Sequence, residues 1–350
     1  MKKPIFISLL ISLSLLTAGA FPSLLVSAPL EITVMTHDSF SVSKAVVAIF
    51  EKKENVKIRF LKAGDAGAAL NQAILSKNNP LADVFYGVDN TFIGRALKAG
   101  IFVAYSSPQL SHIPDELKLD SQSRLLPVDF GDVCLNYDKK WFSKKGLQPP
   151  RNIDALIDPR YNNLTVVMNP ATSSPGLAFL LTTVGRFGEA GYLDYWRKLK
   201  DNGVLVTNGW QEAYWGSFSA ASKGNRPIVV SYASSPPAEV YYSKKKLTEA
   251  PTAAVTSAGS CFRQIEFAGI LKGTRKTALA EKLIDFMLDT SFQEDIPLQM
   301  FVFPSNRTAR LPEVFTRHTV SAESPIMMSP VKIASERENW IEAWTETVLR

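Results

Sequence analysis

From Ile32 onward, short apolar runs alternate with stretches whose apolar residues recur every three to four positions. Ile32 to Met35 reads as a strand, with Asp38 and Ser39 as candidate caps for the next helix. Val42, Ala45, Val46, Ile49 and Phe50 fall on one face of that helix. Val56, Ile58 and Phe60 then share one side of a second strand, a helix runs from about Ala68 to Lys77, and Asp83 to Tyr86 reads as a third strand. Strands and helices in this order predict a parallel sheet covered by helices.

The middle of the chain repeats that order. Leu164 to Met168 is a strand of the buried type, and Pro175-Gly176 opens a helix through Leu177 to Leu181. Val204 to Thr207 and Ile228 to Tyr232 are strands, separated by a helical stretch from Trp210 to Ser222 that Gly224 ends. Arg263 to Leu271 reads as a strand and Leu279 to Leu288 as a helix. A final amphipathic helix, from about Lys332 to Leu349, carries Ile333, Trp340, Ile341 and Trp344 on its apolar face. Two α/β lobes account for this order, residues 29–130 with 264–350 forming the first and 131–263 the second. The expected crossings between them are Val128 to Tyr137 and Phe262 to Ile270.

The start of the chain does not join this pattern. Met1-Lys2-Lys3, an apolar run from Ile5 to Leu16 and the small residues Ala18 and Ala20 fit a secretory signal peptide over residues 1–28, cleaved after Ala20 or Ala28. No cysteine lies near either cleavage point to take a lipid anchor, so a soluble periplasmic protein is expected. In that oxidising compartment Cys134 and Cys261, each in or beside a crossing strand, read either as one disulfide stapling the hinge or as two separate buried thiols. The net charge of +6 is too mild and too dispersed for a nucleic-acid partner. His37, His112 and His318 lack metal-ligand spacing, and neither a metal nor a cofactor is expected.

Ligands of open α/β sheets bind beyond the carboxyl ends of the strands. The polar residues there are Thr36, His37, Asp38 and Ser39, then Asp65, then Gly87, Asp89 and Asn90. The second lobe adds Asn169, Thr172, Ser173 and Ser174, then Asn208 and Trp210, and Ser231 to Ser235, a run that includes Tyr232 and Ser234. Hydroxyls, carboxylates and aromatic rings dominate, without a convincing pair of nucleophile and base. Ser173-Ser174-Pro175-Gly176 is a helix start able to hold a phosphate or carboxylate, or simply an N-cap. Asp38, Asp65, Asp89, Asp129 and Asp132 would give a cleft negative potential suited to a cation, although each alone reads as a cap or turn residue.

Thr36-His37-Asp38-Ser39-Phe40, Gly87-Val88-Asp89-Asn90, Pro127-Val128-Asp129-Phe130-Gly131 and Asn136-Tyr137-Asp138 together resemble the periplasmic thiamine-binding proteins of bacterial ABC importers. The resemblance continues in order through Thr172 to Gly176, Gly209-Trp210, Ser231-Tyr232, Ser234-Ser235-Pro236, Ile296-Pro297 and Trp340 to Trp344. It implies a two-lobed type II periplasmic-binding-protein fold and a monomer that clamps thiamine or its phosphates between the lobes. It also implies an ABC permease and ATPase as partners. The phosphate end of the ligand would meet Asp65, Ser173, Ser174 and Trp210, with Tyr232, Ala233, Ser234 and Ser235 lining the site. Two positions depart from the family pattern: the family's stacking tyrosine falls near Ala238, where Tyr241 could swing in instead, and its stacking tryptophan falls at Phe301. The same scaffold could instead take a polyamine, a phosphosugar or, through a pair such as Tyr241-Tyr242, ferric iron. Thiamine-degrading enzymes share a similar fold and use a cysteine nucleophile, for which Cys134 is the candidate here.

Overall fold

The computed structural model describes residues 30–350, so the expected signal peptide and its cleavage points lie outside the described residues. The chain begins with β1 (Leu30–Thr36), α1 (Lys44–Glu54), β2 (Val56–Lys62), α2 (Ala66–Leu75), β3 (Val84–Asp89), α3 (Ile93–Ala99) and the short β4 (Phe102–Val103). A long strand β5 (Leu126–Asp138) leads to α4 (Lys139–Lys145), β6 (Thr165–Met168), α5 (Ser174–Asp201), β7 (Leu205–Thr207), β8 (Ile228–Tyr232), α6 (Ser235–Tyr242) and β9 (Thr252–Val255). A second long strand, β10 (Phe262–Leu271), returns to α7 (Thr277–Leu288), α8 (Thr290–Gln293), α9 (Ile296–Gln299), β11 (Phe303–Pro304), α10 (Glu313–His318) and α11 (Pro330–Val348).

These strands form one curled sheet in the order β2-β1-β3-β10-β5-β8-β6-β7. Pairing is parallel within each outer group, β2-β1-β3 and β8-β6-β7, as strand–helix alternation predicts. The central pair departs from that pattern, because β10 runs antiparallel to both β3 and β5, and β5 runs antiparallel to β8. The two crossing strands therefore lie side by side, and each half of the α/β architecture hangs from one flank of the pair. Where β10 begins, Cys261 reaches across to Cys134 in β5 and the two are joined in a disulfide.

One contiguous apolar core runs through both halves. Ile32, Val34, Phe50 and Phe85 fill it beside β1 and β3, and Val167, Phe179, Leu180 and Trp196 beside β6 and α5. The last helix touches both. Trp344, fully buried, meets Trp196 of α5 edge-on at 5.5 Å, while Ala334 sits so close to Gly94 of α3 that a side chain on that glycine would stand 2.6 Å from it.

Three expected elements change in detail. Strand β3 continues to Asp89, so Gly87 and Asp89 end the strand instead of coming after it. Helix α2 starts at Ala66, two residues early, because Asp65 caps it by accepting the Ala66 N–H at 2.8 Å. The helix expected over Trp210 to Ser222 is a single wide turn, Glu212–Ser217, closed by the Phe218 N–H on the Ala213 carbonyl. Beyond it, paired bonds between Ser217, Ser219 and Arg226 fold the chain back on itself and stop the helix.

Candidate functional site

Asp89, Glu266 and Asp129 stand directly opposite one another on β3, β10 and β5. One step along, Gln264 faces Gly131. Side chains two residues apart on a strand share a face, so these residues form a polar floor across the centre of the sheet. Like charges in register destabilise a sheet, and each carboxylate here has its own compensation. Asp89 accepts from the backbone and hydroxyl of Thr91, from Ser174 at the start of α5, and from the Gln264 amide at 3.1 Å. Asp129 accepts from the Tyr86 hydroxyl. Glu266 lies 3.3 Å from Nε2 of His37. Burial, and then the Glu266 charge, push the Asp129 carboxyl well above the ordinary range, and burial raises Asp89 as well.

Two glycines let rings lie on this floor. Gly87 has φ +102°, and a Cβ there would stand 2.3 Å from Cδ2 of His37. At Gly131 a Cβ would stand 2.9 Å from the Tyr232 ring, whose hydroxyl donates to the Gln264 side chain at 2.7 Å. Burial opposes protonation of His37, but Glu266, with Asp65 and Asp89 beyond it, outweighs that and raises the imidazole above its usual value.

The remaining candidates form the walls. Ser173 caps α5, its hydroxyl accepting the Gly176 N–H, while the Ser174 hydroxyl is committed to Asp89 and accepts from Gln264 at 2.6 Å. This joins the second half of the molecule to the floor. Trp210 stacks on Tyr214 at 4.8 Å and donates its indole N–H to Ser231 at 2.9 Å. Ser231 in turn meets Ser235 at 2.8 Å. Ser234 donates to the Phe301 carbonyl, which holds Phe301 at φ 56°, with its ring among Tyr241, Tyr242 and Phe315. Asp65 is exposed, yet the protein crowded around it raises its carboxyl. Asp38 stands apart from the floor, bracing the loop before α2 through the Gly64 N–H at 3.1 Å. Asp132 is bound to Arg263 in a two-point ion pair.

The structure thus brings together Asp89, Ser174 and Tyr232 on the floor, Trp210 with Ser235, and Ser234 with Phe301. Sequence reasoning missed Gln264, Glu266 and Tyr86 because they sit inside strands that read as buried. The available signal was the pair of polar residues at alternate positions in an otherwise apolar run, Gln264 and Glu266. Among the described residues, no group of three or more His, Cys, Asp and Glu is arranged to hold a metal ion.

Comparison with known proteins identifies the family to which this fold belongs. The family model described as bacterial extracellular solute-binding protein matches residues 79–322. A thiamine-binding periplasmic protein of Escherichia coli is 30% identical over 324 residues, covering 91% of this chain and 94% of that protein. Among solved structures, a periplasmic thiamin binding protein superposes with a TM-score of 0.80 at 27% identity, over 91% of this chain and 96% of the other. A periplasmic binding protein from Actinobacillus pleuropneumoniae with fructose-6-phosphate bound has a TM-score of 0.75 at 21% identity, over 91% of this chain and 98% of the other, a likeness of fold. The chain belongs to the bacterial extracellular solute-binding proteins.

Proposed function

We propose that this protein is the periplasmic receptor of an ABC importer, binding thiamine or a thiamine phosphate between its lobes as a monomer and handing it to a permease with its ATPase. The lobes are residues 29–130 with 264–350, and 131–263. The observation that carries this reading is the row Asp89–Glu266–Asp129, which pairs with a basic side chain only through His37 among the described residues. Such a floor favours a cationic ligand, and thiamine carries a fixed positive charge on its thiazolium ring. Trp210, Tyr232 and Phe301 offer faces for a flat ring. The names of the relatives at 30% identity support the same ligand. Asp65, Ser173, Ser174, Ser234 and Ser235 would contact its polar end, with closure driven by contacts that exist only when both lobes meet.

Titration calorimetry against thiamine, its mono- and diphosphate, putrescine and fructose 6-phosphate tests this. Saturable one-to-one binding of thiamine or an ester is expected. Trp210→Ala and Tyr232→Ala should each weaken it at least tenfold, about 1.4 kcal/mol. Unchanged affinity in both variants would refute the site, and binding of putrescine or the phosphosugar alone would replace the ligand. A thiamine-degrading enzyme would need Cys134 as a free thiolate, and the bond to Cys261 consumes that thiol.

A further inference from the structure

We propose that Glu266 is the residue that meets the positive charge of the ligand, and that His37 is the internal cation the ligand displaces from it. This rests on the receptor reading and deepens it by assigning the charge contact to a single side chain. Of the three carboxylates in the row, Asp89 and Asp129 are fully buried and already hold hydroxyl donors. Glu266 alone keeps some access to solvent, its side chain 14% exposed, and its ion-pair partner among the described residues is His37. That pairing is loose. His37 Nε2 stands 3.3 Å from the carboxylate, at the long end of hydrogen-bonding range, with the buried Asp129 directly opposite Glu266 on β5. A partly open carboxylate held by one long contact to a titratable ring is the member of the row left free to take a charge from a ligand.

The position fits the ligand's chemistry. In thiamine the hydroxyethyl arm, which carries any phosphate, is attached to the thiazolium ring, so charge and polar arm are close neighbours. Here Ser174 bonds to Gln264, and Glu266 lies two residues further along the same face of β10. A ligand whose polar arm reaches Ser174 therefore brings its charge over Glu266.

His37 makes the contact dependent on pH. The charged and titratable groups facing it are Glu266 on β10, Asp65 at the start of α2, and Asp89 and Tyr86 on β3. The acids favour the imidazolium while no other cation is present. A thiazolium beside Glu266 removes that advantage, so binding expels the proton from His37. By linkage, affinity must then fall as pH drops below the titration of His37 and level off above it.

Calorimetry with thiamine between about pH 5 and 8, in two buffers of different ionisation enthalpy, tests the exchange. Wild type should release close to one proton on the acid side, with affinity rising up to about tenfold per pH unit there. His37→Gln should lose that rise and bind more tightly than wild type at acid pH. Any dependence left in both proteins belongs to the ligand's own aminopyrimidine. Glu266→Gln should bind at least about thirtyfold more weakly near neutral pH, with Glu266→Asp intermediate, and thermal melting confirms that each variant is folded. If wild type binds thiamine but Glu266→Gln matches it, or His37→Gln keeps the full pH slope, the exchange is wrong while the receptor stands. If wild type does not bind thiamine at all, the receptor reading falls first.

Discussion

At Gly131 the backbone passes so close beneath Tyr232 that a methyl group would meet both the ring, at 2.9 Å, and Val302, at 3.3 Å. The glycine is there for room, because without it Tyr232 cannot lie over the floor and reach Gln264. Gly131→Ala should therefore tilt the ring, break that hydrogen bond and weaken ligand binding by about tenfold, with most of the effect in the dissociation rate. Stopped-flow fluorescence of the variant checks this, and an unchanged dissociation rate would show that the ring position is irrelevant to binding. At this scale Asp89 and Ser174 were legible as polar residues near strand ends, and the structure joins them by a hydrogen bond. Glu266 was not. Its meaning depends on Asp89 and Asp129 lying opposite it, and register between strands distant in sequence leaves no local trace.

Helix α6 shows how elements are tied to the site. Ser235 opens it and Pro236 and Pro237 occupy its first turn, where a missing N–H costs nothing. Its Glu239 accepts from Thr252 in β9, at 2.6 Å, and from Tyr214 in the wide turn that follows Trp210. Burial lifts the Glu239 carboxyl from 4.5 to about 7. The folded protein thus holds this proton more tightly than the unfolded chain. The shift adds stability at acid pH that is lost as pH rises from the unfolded value through about 7. Glu239→Gln should flatten the fall in stability across that window, as read by urea unfolding at a series of pH values. A variant that keeps the wild-type slope would mean that Glu239 is charged throughout. The failed helix after Trp210 has a similar origin. Its periodicity is real, with Trp210, Tyr214 and Phe218 packed in sequence, but the Phe218–Arg226 bridge claims the chain after one turn.

At the scale of the molecule, alternation of strands and helices was enough to give two parallel groups, and β5 and β10 were legible as long strands. That these two pair with each other, antiparallel, comes from how the halves dock and not from either strand's own pattern. The last helix shows the same limit. Its apolar stripe was plain, yet only the assembled fold reveals that Trp344 packs on α5 while Ala334 packs on α3. The cysteines were undecided for a simple reason, since sequence separation says nothing about distance; their Cα atoms are in fact 4.5 Å apart. At a sequence separation of 127, the chain-entropy model gives the bond about 5 kcal/mol of stability. Reduced protein should unfold at a clearly lower urea midpoint than oxidised protein, and equal midpoints would mean the bond constrains little.

That bond also turns everything from α4 through β9 into a closed ring of chain. A protease that nicks the ring at the exposed Lys244–Lys245–Lys246 run therefore liberates no fragment, and the cut molecule stays in one piece until a thiol reductant opens it.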